Sequence, residues 1–121
     1  MLDLIRKPYN YFLIKILIFA VINYFLKFIM MKIYKLFENF SLHNDENGYM
    51  LFDTGTGNIY KLNKVSFKIL SLCDGNKTDK DIKDIILNLF DVSAEIFNND
   101  FDNIIKVLLD KHFITYTFAD N

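Results

Sequence analysis

Residues Asn58–Gly75, NIYKLNKVSFKILSLCDG, change period in mid-stretch, and that change decides the fold class. Over Asn58–Leu62 the period is two: Tyr60 and Leu62 fall on one face, Ile59 and Lys61 on the other, as in a half-buried strand. After Asn63, a residue type suited to an N-cap, Val65, Ile69, Leu72 and Cys73 recur at helical spacing, with Phe67 and Leu70 widening the apolar stripe. Asp74-Gly75 is the stop signal, because glycine tolerates the left-handed conformation past a helix end. A strand feeding directly into a helix therefore anchors the reading in both directions.

Upstream, Tyr49–Asp53 (YMLFD) is a second short apolar segment, joined to the first by Thr54-Gly55-Thr56-Gly57, whose glycines suit a hairpin loop. Before it, the turn signal Asn44-Asp45-Glu46-Asn47-Gly48 closes a first strand expected around Glu38–His43. Downstream, Thr78 is suited to cap a second helix, with Asp79 and Asp81 in its first turn and Ile82, Ile85, Ile86, Leu89 and Phe90 as its apolar set. A third helix opens at Ser93 or at Asn98-Asn99-Asp100, carries Phe101, Ile104, Ile105, Leu108 and Leu109 on one face, and ends near Lys111-His112. Phe113-Ile114 and a frayed tail follow. The expected fold is α+β and winged-helix-like: an N-terminal three-stranded antiparallel β-meander followed by three α-helices, with the wing moved to the front.

The charge is divided unevenly along the 121 residues. Residues 1–37 carry six basic residues against Asp3, a balance of +5, while residues 38–121 carry eight lysines against fourteen acids, a balance of −6. Two regions are expected: a hydrophobic, basic N-terminal segment over 1–31 and a domain over 32–121. The acidic domain is a poor match for a phosphate backbone. In the first region, Tyr11–Met31 is long enough for a bilayer core of roughly 30 Å, but Lys15, Asn23 and Lys27 interrupt it. Membrane association through residues 11–31 is one reading, a mis-called start before Met30-Met31-Lys32 a second, and an amphipathic or partner-binding extension a third. A cytoplasmic location is expected, membrane-associated if residues 1–31 are translated.

Little in the chain supports catalysis. Cys73 lies on an apolar helix face beside Asp74, where a thiolate is not favoured. His43 and His112 are far apart in sequence with no further metal-ligand pattern. Asp79, Asp81 and Asp84 suit a solvated helix face, and Thr54–Gly57 lacks the lysine and the strand-to-helix setting of a phosphate loop. No enzyme, metal or cofactor is expected. A binding surface is: Asn58–Leu62 ends the meander, so one of its edges is available for strand addition.

The ordered series Ile59-Tyr60-Lys61-Leu62-Asn63, Ile69-Leu70-Ser71-Leu72-Cys73-Asp74-Gly75, Thr78 and Ile82 resembles the PqqD-like family, and Asp100-Phe101 through Ile104, Leu108, Leu109, Lys111 and Phe113-Ile114 is similar to that family's last helix and apolar exit. The resemblance covers residues 38–114. It implies a peptide chaperone, the recognition element of pathways that modify ribosomally made peptides. Such a protein binds a precursor's leader segment and presents its core to a modifying enzyme, often a radical SAM enzyme. By this resemblance the leader adds as a strand beside Asn58, Ile59, Tyr60, Lys61 and Leu62, in a cleft against Phe101, Ile104, Ile105, Leu108 and Lys111 of the third helix. Lys61, Lys106 and Lys111 would attract an acidic leader, against the domain's overall charge. The competing readings are a winged-helix DNA-binding regulator, which the acids Asp100, Asp102 and Asp110 oppose, and a membrane-anchored structural subunit.

Overall fold

A computed structural model describes residues 8–29 and 31–119, and they divide into two compact units. The first contains helix α1 (Pro8–Ile29). Proline sits at its first position, where no backbone N–H is needed. Between Tyr11 and Leu26 the large apolar side chains are exposed, and the Lys15 ammonium lies 4.5 Å from the centre of the Tyr11 ring. Among the described residues no helix is long and apolar enough to cross a membrane.

The second unit, Lys32–Phe118, contains β1 (Lys32–Leu36), β2 (Phe40–Asp45), β3 (Gly48–Asp53), β4 (Ile59–Leu62), α2 (Lys64–Leu72), β5 (Asp74–Thr78), α3 (Asp79–Leu89), α4 (Ala94–Asp110) and β6 (Ile114–Phe118). The α+β class is as expected. The order is not. The meander β2-β3-β4 forms one antiparallel sheet, but β1 precedes it, β5 separates the helices α2 and α3, and β6 replaces the expected frayed tail. Those three additional strands make a second antiparallel sheet in the order β5-β1-β6. The first strand of the meander also starts later than Glu38, because Glu38 and Asn39 form a turn closed by the Phe40 N–H on the Phe37 carbonyl (3.0 Å).

Each correction has a physical reason. β1 and β6 do alternate, with Tyr34 and Leu36 facing Tyr116 and Ile114 across the register, but they are short, and each needs the other to form. β5, with the sequence DGNKT, has no apolar periodicity at all. It is a strand only because β1 offers it an edge, and Gly75, at φ +85°, lies where its register shifts.

The helix starts follow the side-chain chemistry. The Asn63 Oδ1 accepts from the Ser66 N–H at 2.7 Å. Thr78 and Asp81 cap each other's backbone at the start of α3, at 3.3 and 3.0 Å. The end of α4 is less expected. His112 takes the left-handed conformation (φ 59°), its N–H donates to the Leu109 carbonyl, and the Phe113 N–H donates to the Leu108 carbonyl. That is a Schellman ending with histidine in the usual glycine position, and it turns Phe113 into the core. The core between the two sheets and α2–α4 includes Tyr34, Leu51, Ile69, Leu70, Ile82, Ile86, Phe101, Ile105 and Ile114.

Candidate functional site at the edge of the meander

β4 is positioned by the turn before it. The Asp53 carboxylate is buried, and its Oδ1 accepts from the Asn39 side chain (3.1 Å), the Gly55 N–H (2.9 Å) and the Thr56 N–H (3.4 Å). Those hydrogen bonds, the Asn39 bond foremost, hold its carboxyl below the usual carboxylate range. Gly57, at φ +81°, lets the chain reverse, and its N–H donates to the Asp53 carbonyl at 2.7 Å. The Asp53 N–H then donates to the Asn58 carbonyl at 2.8 Å, which sets the ladder.

The alternation of an antiparallel ladder carries that bond along the strand. With Asp53 and Asn58 hydrogen-bonded, the register places Tyr60 opposite Leu51 and Leu62 opposite Tyr49 in the hydrogen-bonded positions. Ile59 and Lys61 occupy the intervening positions, so their N–H and C=O groups point away from β3. Among the described strands β4 pairs with β3 alone. Its outer edge therefore presents the backbone of Ile59 and Lys61.

The side chains divide by face. Tyr60 and Leu62 are half-buried, and the Tyr60 ring packs on Phe113, with centroids 4.9 Å apart. Ile59 and Lys61 are exposed. On the outer face Ile59 joins Met50, Phe52, His43 and Asp45 around a shallow cavity of about 320 Å³. A strand laid along β4 would place alternate side chains over this outer cavity and toward the helices.

The helix residues expected to line a cleft sit in three environments. Phe101, Ile105 and Leu108 are buried core residues, Ile104 is half-buried, and Lys111 is exposed. Helical spacing puts Ile104 and Lys111 on one flank of α4 together with Asp100 and the exposed Val107, which sequence reasoning missed. A solvent-facing valine within a helix that also buries an apolar stripe is the signal that would have found it. The other flank carries Asp102, Lys106, Leu109 and Asp110. With Lys32, Tyr34 and Asp79 these line a second cavity of about 320 Å³, so Lys106 is separated from the Ile104 flank.

The remaining chemistry is structural. Cys73 donates its S–H to the Ile69 carbonyl at 3.2 Å, and burial, with Asp74 and Asp79 nearby, pushes its thiol up to about 12. It is not poised as a nucleophile. His43 bonds Ser41 at 3.0 Å on the meander, and His112 ends α4, so the two play local roles. Among the described residues no group of three or more His, Cys, Asp and Glu is arranged to hold a metal.

The profile of one family, described as coenzyme PQQ synthesis protein D (PqqD), matches residues 48–114, more than half of the chain. The chain belongs to the PqqD family. No curated protein sequence matches it. Among solved structures, this PqqD-family chain is similar to a lasso peptide synthetase B1 complexed with its leader peptide. The TM-score is 0.58 at 16% identity, over 69% of this chain and 98% of that one. It is also similar to TbiB1 in complex with the TbiA(beta) leader peptide, with a TM-score of 0.57 at 22% identity, over 71% and 99% of the two chains. At these identities the likeness is one of fold. The PqqD match begins at Gly48, the first residue of β3, and ends at Ile114, so it contains β4 and all of α2–α4.

Proposed function

We propose that the chain binds the leader segment of a ribosomally made precursor peptide and presents the remainder to a modifying enzyme, without catalysing the modification itself. The observation that carries this reading is the outward-facing backbone of Ile59 and Lys61 on the β4 edge, in a PqqD-family fold shared with two proteins solved with leader peptides. The leader adds antiparallel or parallel to β4, and main-chain bonds supply affinity with little sequence preference. Specificity comes from alternate side chains: one set meets Ile59, Phe52 and Met50, the other the Ile104–Val107–Lys111 flank of α4. Lys61 and Lys111 favour acidic residues in the leader. In this reading Phe101, Ile105 and Leu108 act indirectly, by holding α4 in place. The partner enzyme we propose is a radical SAM protein, as the family resemblance implies; co-purification with the enzyme encoded beside this gene tests it.

The test is a titration of the full chain with synthetic peptides copying the leaders of precursors encoded beside the gene, followed by backbone amide shifts. Saturable shifts centred on Asn58–Leu62 and the Ile104–Lys111 flank are expected. Lys61→Pro removes an outward donor and weakens binding by about a hundredfold or more while leaving the β3-facing bonds intact. Undiminished binding by a folded proline variant would defeat strand addition.

A further inference from the structure

The fold has four edge strands among its described residues; β4 is the edge proposed above for a leader, and two of the other three are blunted against unwanted pairing. β5 has an ion pair between Asp74 and Lys77, a left-handed Gly75 and a shifted register. β2 carries His43 and Asp45. β6, with the sequence Ile114-Thr115-Tyr116-Thr117-Phe118, has no charge, glycine, proline or bulge. Thr115–Phe118 are exposed, with Tyr116 at 40% and Phe118 at 48%. Each of its five residues favours extended structure. An undefended edge of this composition is expected where a partner strand belongs.

We infer that the partner is β6 of a second copy, paired antiparallel about a two-fold axis through Tyr116. Two features of β6 fit a second copy, the backbone permitting the pairing and the sequence favouring it. The first is the direction of its backbone. The Phe37 N–H donates to the Phe113 carbonyl at 3.1 Å, which makes Phe37–Phe113 a hydrogen-bonded pair of the β1–β6 ladder. By alternation Ile114, Tyr116 and Phe118 are the intervening positions, with N–H and C=O groups directed to the open side. The Leu36 N–H, opposite Ile114, correspondingly turns to the Cys73 carbonyl on the β5 side, at 2.9 Å. The outward groups are thus spaced symmetrically about Tyr116.

The second feature is the sequence, which is nearly palindromic about the same residue. A two-fold axis at Tyr116 sets Tyr116 against its copy and Ile114 against Phe118 as hydrogen-bonded pairs, each exchanging both N–H···O bonds. Thr115 then faces Thr117 in the intervening positions. Aromatic, aromatic–β-branched and Thr–Thr pairs are all favourable across strands, and no like charges oppose each other. A strand from an unrelated protein would satisfy the bonds but has no reason to match this symmetry. The result is one continuous sheet, β5-β1-β6 joined to its copy, with the β4 edges left open.

Two measurements on the full chain test the pairing. Oxidative cross-linking of Tyr116→Cys is expected to give a covalent dimer, because residues paired on the axis have Cα atoms about 5.5 Å apart. Thr115→Cys, which faces Thr117 and not its own copy, gives none. Sedimentation is the second. The double variant T115K/T117K sets like charges opposite each other and raises the dimer dissociation constant about tenfold or more. T115K/T117D, which pairs opposite charges in the same register, restores it. A native chain that stays monomeric, equal cross-linking at positions 115 and 116, or indifference of the dimer to T115K/T117K overturns the inference. Leader binding at β4 is read separately, so its failure leaves this result standing.

Discussion

The two sheets of this domain have the same number of strands and the same antiparallel pairing, yet they are assembled on different principles. β2-β3-β4 is built from neighbours in sequence joined by short turns, each with its own chemistry: Asp45 accepting from the Asn47 N–H (2.8 Å), and Asp53 gathering three donors. β5-β1-β6 draws its strands from three distant segments, and its central strand is the first to be made. The first sheet closes small loops at low entropic cost, and the second closes most of the domain. Two of their acids, Asp53 and the half-buried Asp79, differ in the same sense. Asp53 is enclosed by donors; Asp79, lining one cavity with Tyr34, has an Oδ1 without a partner, and burial raises its carboxyl above the usual range. Two of the Asp53 donors come from its own turn and the third, Asn39, from the turn before β2, whereas Asp79 is left where packing puts it.

The comparison is broken first by asking whether β6 is structural. Ile114→Ala should destabilise the domain by about 2–5 kcal/mol in denaturant titrations, similar to Leu51→Ala in the meander. A loss near zero would return residues 114–118 to the status of a tail.

A smaller effect is expected at the junction of α4 and β6. His112→Gly should raise stability by about 1 kcal/mol, because histidine is held at a left-handed φ that glycine adopts freely. Thermal denaturation measures it, and a destabilised variant would show that the His112 side chain is needed there.

The smallest effects are in pH dependence, and their signs are opposite. The Asp53 carboxyl is lowered on folding, so its stabilisation is present above the unfolded carboxylate pKa and is lost as pH falls through the folded value. The Asp79 carboxyl is raised, so the stability associated with its protonated form is present at low pH and is lost as pH rises through the folded value. Asp53→Asn should therefore cost most at neutral pH and least in acid, and Asp79→Asn should stabilise at neutral pH. Melting curves between about pH 3 and 7 cover both transitions. Parallel pH profiles for the two variants would remove the distinction.

Much of the candidate site was legible because it is local. The glycine-containing loop before β4, the alternation of Tyr60 and Leu62 with Ile59 and Lys61, and the Asn63 cap all act within a few residues. The ordered spacing from Ile59 to Ile114 was also sufficient to recognise the family that the profile match establishes. The site's second wall was less legible. Helical periodicity identifies the apolar stripe of α4 but not which of its members face a cleft and which the core; the structure buries Phe101, Ile105 and Leu108 and exposes Val107, which lies outside that stripe.

The pattern of residues by itself determined the hairpins, the two capped helix starts and the division of charge between the N-terminal segment and the domain. These depend on backbone conformations and side chains only a turn or two apart. Tertiary structure alone decided that DGNKT is a strand, that β6 pairs with β1, that histidine replaces glycine at the end of α4, and which side of α4 faces solvent. Most of those outcomes depend on a neighbour supplied from far along the chain: DGNKT has no strand period of its own, and although β6 favours extended structure, nothing local says which strand it pairs with.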